Sequence, residues 1–287
     1  MGIRRADFAG SWYPGTASEC RKMIEHFSDT AVPCPQEGQK AVGGIVPHAG
    51  WFYSGNMAFN VLKCLKETAD PETIIIFGRH LHAGSSSYIT IEGEWETPFG
   101  TLEIDKKVAD NLVSEFPFTI ETDTRYEQDN TIELQLPFIK YLFPDALILP
   151  IGLPPDPVAI SIGARAAEIA EDLNRKICVL GSTDLTHYGN NYGYTPKGVG
   201  KDAVDWVKNE NDKTMVDLMV QMNAEEVIKE SRIKDNACCS GAAAAAISAS
   251  KKMGAQKAEK LIYQTSYDIR PADSFVGYAG ILFFGSL

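Results

Sequence analysis

The chain has 287 residues, 44% of them hydrophobic and 23% charged, which is enough apolar material for a sizeable core. Its formal net charge of −11 repels phosphate backbones and anionic membrane faces, so no nucleic-acid and no membrane partner is expected. No apolar run approaches the roughly 20 residues of a spanning helix, and MGIRRADFAGSWYPG lacks the apolar stretch of a secretory signal, so a cytoplasmic location is expected.

After an N-terminal arm with Trp12 and Tyr13, residues 17–28 read as a helix and 29–40 as a polar connection with two prolines. AVGGIVP (41–47) is a short buried strand, followed by the loop HAGWFYSG (48–55) and a helical pattern over 56–67. TIIIFG (73–78) has the β-branched run of a strand buried on both faces. The loop RHLHAGSSS leads into SYITIEGEW (87–95), which alternates like a half-exposed strand. A helix is expected over 105–115, and another over 131–143 with Pro137 forcing a kink or restart. ALILPIG (146–152) is a strand, 158–173 a helix, and KICVLGS (176–182) a strand leading into the loop TDLTHYGNNYGYTP. One or two helices fill 201–231, and another runs over 241–254 with Gly254 as its stop. EKLIYQTSYDI (259–269) and FVGYAGILFFG (275–285) close the chain as strands.

Alternating strands and helices predict an α/β fold in three layers, α/β/α, around a mostly parallel or mixed central sheet. No repeat or long linker divides the chain, so residues 1–287 read as one domain. The six scattered cysteines are expected as thiols.

Only five histidines are present. His26 lies on a helix and reads as a surface residue, whereas His48, His80, His82 and His187 all follow the carboxyl ends of predicted strands. Ligands bind at that edge of open α/β sheets, so loops distant in sequence can bring these imidazoles together. Cys239 precedes the helix GAAAAAISASKK, where free backbone N–H groups favour a thiolate, although Cys238 is as well placed by sequence alone. Imidazole and thiolate together suit iron, copper or zinc, and a His/His/Cys set leaves positions open for a reactant. The glycine and tyrosine residues of HAGWFYSG and GNNYGYTP suit the lining of a pocket for a small planar or polar molecule. No dinucleotide, P-loop or GxSxG pattern is present.

GSWYP, VPHAGWFYSG, EGEWETPFG, IELQLPF, GSTDLTHYG, Asn-Ala-Cys-Cys, YQTSYD and FVGYAGILFF occur in one order along nearly the whole chain. In that combination the chain resembles the Memo-like family, whose prokaryotic members are often called AmmeMemoRadiSam system protein B. The resemblance implies a fold similar to the LigB-type class III extradiol dioxygenases, which use non-haem iron. It implies metal ligands His48, His82 and Cys239, with His80 as the alternative to His82, because the chain reads Gly78-Arg79-His80-Leu81-His82 where many members read Gly-Pro-Asn-His. It also implies His187 and Asp184 as catalytic groups. Asn130-Thr131 stands where a His-Ser pair is common in the family. The expected activity is a metal-dependent, dioxygenase-like oxidoreductase, with Fe(II) the first choice of cofactor and Cu or Zn next. The alternative is a protein that binds a small molecule, a peptide or a metal. A radical-SAM enzyme and an AMMECR1-like protein are the expected partners.

Overall fold

The computed structural model describes residues 2–35 and 39–285. Strands that are apolar on both sides need cover on both faces. Thr73–Gly78, Leu147–Gly152 and Ile177–Ser182 are such strands, buried at nearly every position. With Lys40–Val46 they form the parallel centre of a nine-stranded sheet, in the order Lys40–Val46, Ile177–Ser182, Thr73–Gly78, Leu147–Gly152. Beyond Leu147–Gly152 lie Ser87–Thr90, antiparallel to it, and then Phe118–Glu121. On the other side Phe275–Gly285 pairs antiparallel with Lys40–Val46, with Ala255–Thr265 along most of its length, and with the two-residue strand His187–Tyr188 at its start. The sheet is therefore mixed, with a parallel core.

Two adjacent glycines show how the layers close on it. A Cβ on Gly43 would sit 2.7 Å from Ser250 Oγ of the helix Ser240–Lys252, and one on Gly44 would sit 2.7 Å from Val61 Cγ1 of the helix Trp51–Thr68. Successive strand residues face opposite sides, so these helices cover opposite faces, and only glycine admits both this closely. Pro157–Asp172 packs against Ser240–Lys252, with Gly163 against the Ala245 backbone. On the far side Trp51 stacks on Phe138 with ring centroids 3.9 Å apart, and Phe27 of Ala17–Asp29 packs against both rings.

Several elements differ from their sequence expectation. The run 87–95 splits at Gly93, whose φ is +98°, into Ser87–Thr90 of the main sheet and Glu94–Thr97 of a three-stranded sheet with Ile3–Arg4 and Gly100–Glu103. The final hairpin begins earlier, at Ala255, and Ser266–Ile269 coils into a short capped helix. Cys34 and Cys64 are joined in a disulfide rather than left as thiols; the other four cysteines are free. Pro137 restarts the helix as expected, separating Asn130–Glu133 from Leu136–Leu142.

The helical stretch after residue 200 contains a π-turn, Val207–Asn211, between Lys201–Trp206 and Asp212–Val220. A π-turn turns buried polar groups inward, and here they meet two loops. Asn211 Nδ2 donates to Thr186 Oγ1 at 2.9 Å, Asn236 Nδ2 donates to the Asn211 carbonyl at 2.9 Å, and Asp212 Oδ1 accepts the Thr186 N–H at 3.0 Å. Burial pushes the Asp212 carboxyl up from 3.8 to about 6, against the opposing pull of the Thr186 and Tyr263 hydrogen bonds. A carboxyl raised in the folded state stabilises the fold while neutral, so that contribution is complete below about pH 4 and is lost as pH rises through 6. Between those limits Asp212 should cost roughly 3 kcal/mol. Thermal unfolding of wild type and Asp212→Asn from pH 4 to 7 should show the difference in midpoint changing across that window; a constant difference contradicts the assignment.

Candidate metal centre

The central strands end level with one another, and the residues that follow them carry the chemistry. Val46 lies opposite Ser182, and Phe77 opposite Gly181. Pro47-His48, Thr183-Asp184 and Arg79-His80 therefore leave the sheet at one edge, with Asp129, Asn130 and Thr131 of the short helix arriving beside them. From a fourth direction come Cys238 and Cys239, the latter capping the helix Ser240–Lys252.

One ligand atom from each of His48, His80, Cys238 and Cys239 can be chosen so that all four lie within 4.8 Å of one another. His48 Nε2 is 3.3 Å from Cys238 Sγ, which is 3.7 Å from Cys239 Sγ. Ligand atoms around an ion with bonds of about 2.0–2.3 Å are roughly 3.3–3.8 Å apart, a range that holds the two separations just given, so the group could hold a transition metal ion. The imidazoles are oriented from behind. Ser182 Oγ donates to the Thr131 carbonyl at 2.6 Å and so accepts from His48 Nδ1 at 3.0 Å, which keeps a proton on Nδ1 and turns Nε2 toward the sulfur. The Asp129 carboxylate accepts the His80 backbone N–H at 3.3 Å and faces His80 Nδ1 at 3.5 Å.

Charge is distributed unevenly over the group. Burial disfavours a thiolate at Cys238, yet the Cys239 S–H, His48 and His187 around it prevail and hold its pKa well below the ordinary thiol value. The Asp184 backbone N–H, 3.3 Å from that sulfur, adds a donor. Burial and the adjacent Cys238 sulfur push Cys239 in the opposite direction, well above it. Burial would lower both exposed-edge imidazoles, but Asp129 and Cys238 raise His80 to about 10, and Asp184 and Cys238 raise His187 to about 10. His80 and Thr131 hold Asp129 down at about 2 against the opposing effect of burial.

Asp184 ties these parts together. Its Oδ1 accepts the His48 backbone N–H at 2.7 Å, and its Oδ2 lies 3.9 Å from both His48 Nε2 and His187 Nε2. At 3.9 Å Asp184 pairs with His187 by charge and not by a hydrogen bond, and the buried Nε2 has no hydrogen-bond partner among the described residues. Two cavities meet at His187 and Tyr192. One, of about 510 Å³, is lined by His48, His80 and Asp184 with Trp12, Phe52 and Tyr53; the other, of about 560 Å³, reaches Cys238 past Tyr194 and Arg232.

Among the residues singled out from sequence, the structure brings together His48, Cys239, Asp184 and His187. His82 is exposed, lines the second cavity and lies outside the four-residue group; His80, the alternative, is within it. The surroundings favour a thiolate at Cys238 over the Cys239 expected from sequence, because the carboxyl-end loops point at the first cysteine and leave the second buried under the helix start. Ser182 and Asp129 carried no separate signal: one ends a strand, and the other reads as a helix cap, which it also is, through Thr131.

The Memo-like protein family matches residues 4–282. A MEMO1 family protein of Pyrococcus furiosus is 33% identical over 98% of both chains, and one of Pyrococcus abyssi is 34% identical over 98% of this chain and 99% of its own. The solved structure of an uncharacterized Escherichia coli K12 protein, JW3007, covers 78% of this chain and 91% of its own with a TM-score of 0.46 and 11% identity, too slight a likeness to bear on the site.

The thiolate assignment is open to direct measurement. In metal-free protein at pH 7, iodoacetamide should modify Cys238 at a rate nearly constant from pH 6 to 8, read by peptide mass spectrometry. Cys239→Ser should retain that reactivity and Cys238→Ser lose it; the reverse pattern would place the thiolate on the other sulfur.

Proposed function

Because the chain belongs to the Memo-like family, we propose that it holds one divalent transition metal, Fe(II) first, and carries out redox chemistry on a small organic molecule. The observation that carries this reading is the gathering of two imidazoles and two cysteine sulfurs within 4.8 Å of one another, beside the Asp184–His187 pair. His48, His80 and Cys238 would hold the ion, with Cys239 within reach as a fourth donor. When bound, such an ion supplies electron transfer with the substrate, and this ligand set equally admits copper or zinc.

The other roles belong to the chain itself. Ser182 and Asp129 keep the two imidazoles turned toward the site. His187 would be the proton donor or acceptor, since its ring lines both cavities and Asp184 stabilises its charged form. The lining of the 510 Å³ cavity includes Trp12, Phe52, Tyr53, Tyr192 and Tyr278 but no Lys or Arg among the described residues. Stacking on such walls favours a planar molecule, and the raised His80 and His187 favour one that can carry a negative charge, a phenol for example.

A second reading rests on the exposure of Trp12 and Phe52 at the cavity mouth, 42% and 66% respectively. Apolar rings open to water are what a peptide or partner protein would cover, and the site would then bind rather than turn over. A radical-SAM or AMMECR1-like protein would be the partner to try first.

Anaerobic titration with Fe(II) followed by metal analysis should give one equivalent for wild type and His82→Ala, and far less for His48→Ala or Cys238→Ala. Equal retention by all four proteins would sink the proposed centre. With metal loaded, O2 consumption over a panel of phenols separates the two readings: turnover that falls at least tenfold in His187→Ala supports catalysis, and none with any substrate favours binding.

A further inference from the structure

The loop that delivers His80 begins with a backbone anomaly. Arg79 has a φ of +78°, in the left-handed region that a Cβ disfavours. Three other non-glycine residues among those described share the region: Asn174, Met222 and Asp235. All three follow helix carboxyl ends, where a left-handed cap is ordinary. Arg79 instead follows a strand and enters the candidate metal centre. A residue kept there against its own backbone preference needs a compensating hold.

The side chain supplies it. Arg79 is 5% exposed, one of its guanidinium nitrogens bonds Glu121 Oε1, and the other donates to Glu127 Oε2 at 2.8 Å. The guanidinium carbon lies 3.8 Å over the Tyr88 ring. Gly152 leaves room for the stem, since a Cβ there would come within 2.7 Å of Arg79 Cδ. The backbone N–H of Arg79 donates to Thr131 Oγ1 at 2.7 Å. These contacts close a ring. Glu121 ends the strand Phe118–Glu121, Glu127 lies in the segment leading to Asp129, and Asp129 meets His80 at both its backbone N–H and its ring. One guanidinium therefore sets the backbone that aims His80 and anchors the segment whose carboxylate orients its ring.

We propose that Arg79 is a positioning residue for His80, with its planar fork spent on holding a left-handed turn that neither a smaller residue nor lysine would hold in the same way. The proposal rests on the reading of His80 as a metal ligand only for its consequence in metal binding; the aiming of the ring stands apart from it.

The test uses Arg79→Gly, because glycine accepts the φ of +78° without strain and isolates the loss of the fork. In metal-free protein, the NMR signals of the His80 ring and its through-space contacts with the His48 ring, whose centroid lies 4.9 Å away, should show the single ring orientation giving way to an averaged one, while far-UV circular dichroism stays unchanged. With Co(II) as the probe, affinity should fall on the order of 10- to 100-fold, the range for residues that orient a metal ligand. The thiolate-to-cobalt absorption band from Cys238 should persist, and His80→Ala added to Arg79→Gly should cost little more. His80 signals identical to wild type would overturn the proposal whatever cobalt does. Wild type that takes no Co(II) would overturn the metal reading, and the imidazole signals would still decide Arg79. Should Arg79→Gly fail to fold, Glu127→Gln removes one arm from the solvent side, and His80 signals unmoved in it would count against the proposal.

Discussion

The level register of the parallel strands is the constraint on which the site depends. With Val46 opposite Ser182 and Gly181 opposite Phe77, the backbone hydrogen bonds of the sheet fix where three separate loops depart. Each loop then needs only one or two residues to reach the same point, which keeps the entropy of ordering them small. A slip of one residue would exchange the two covered faces and bring side chains where the helices approach Gly43 and Gly44, so close packing enforces the register and the register places His48, His80 and Asp184.

Buried carboxylates do much of the remaining positioning, Glu133 and Asp212 by accepting three hydrogen bonds each and Asp184 by one hydrogen bond and two charge contacts. Asp184 joins the His48 backbone to the neighbourhood of His187. Glu133 accepts the backbone N–H groups of Asp7 and Phe8 and the Tyr13 hydroxyl, which docks the N-terminal arm so that Trp12 reaches the cavity. Asp212 secures Thr186, next to His187, and its neighbour Asn211 holds Asn236, two residues before Cys238. An acid that satisfies three donors in a dry interior is stable only while those donors stay in place, so such groups make the loops rigid as well as close.

The adjacent cysteines illustrate how strongly position outweighs identity. Cys238 and Cys239 are neighbours in one turn, yet one sulfur faces two imidazoles and a backbone N–H while the other is enclosed under the helix start. Their acidities separate in opposite directions because a single negative charge is favoured between them and a second is not. A soft, partly accessible thiolate beside a buried thiol gives the centre a donor that is ready to bind metal and also open to oxidation.

Periodicity and composition were sufficient to read the central strands and most helices, because runs such as TIIIFG and ALILPIG have no other stable placement than the middle of a covered sheet. The general position of the site was legible for the same reason: strand ends are visible in sequence, and the histidines follow them. Sequence leaves open His80 against His82 and Cys238 against Cys239; the fold puts His80 and both cysteines in the four-residue group and His82 outside it. Residues one or two apart in a loop have the same local chemistry in sequence; which of them turns inward depends on a left-handed Arg79, on Asp129 arriving from fifty residues away, and on the direction from which Ser240–Lys252 enters. The buried supports, Ser182, Asp129 and the π-turn at Asn211, were equally hidden, because a polar residue acquires such a role only when tertiary packing removes water and presents it with a partner.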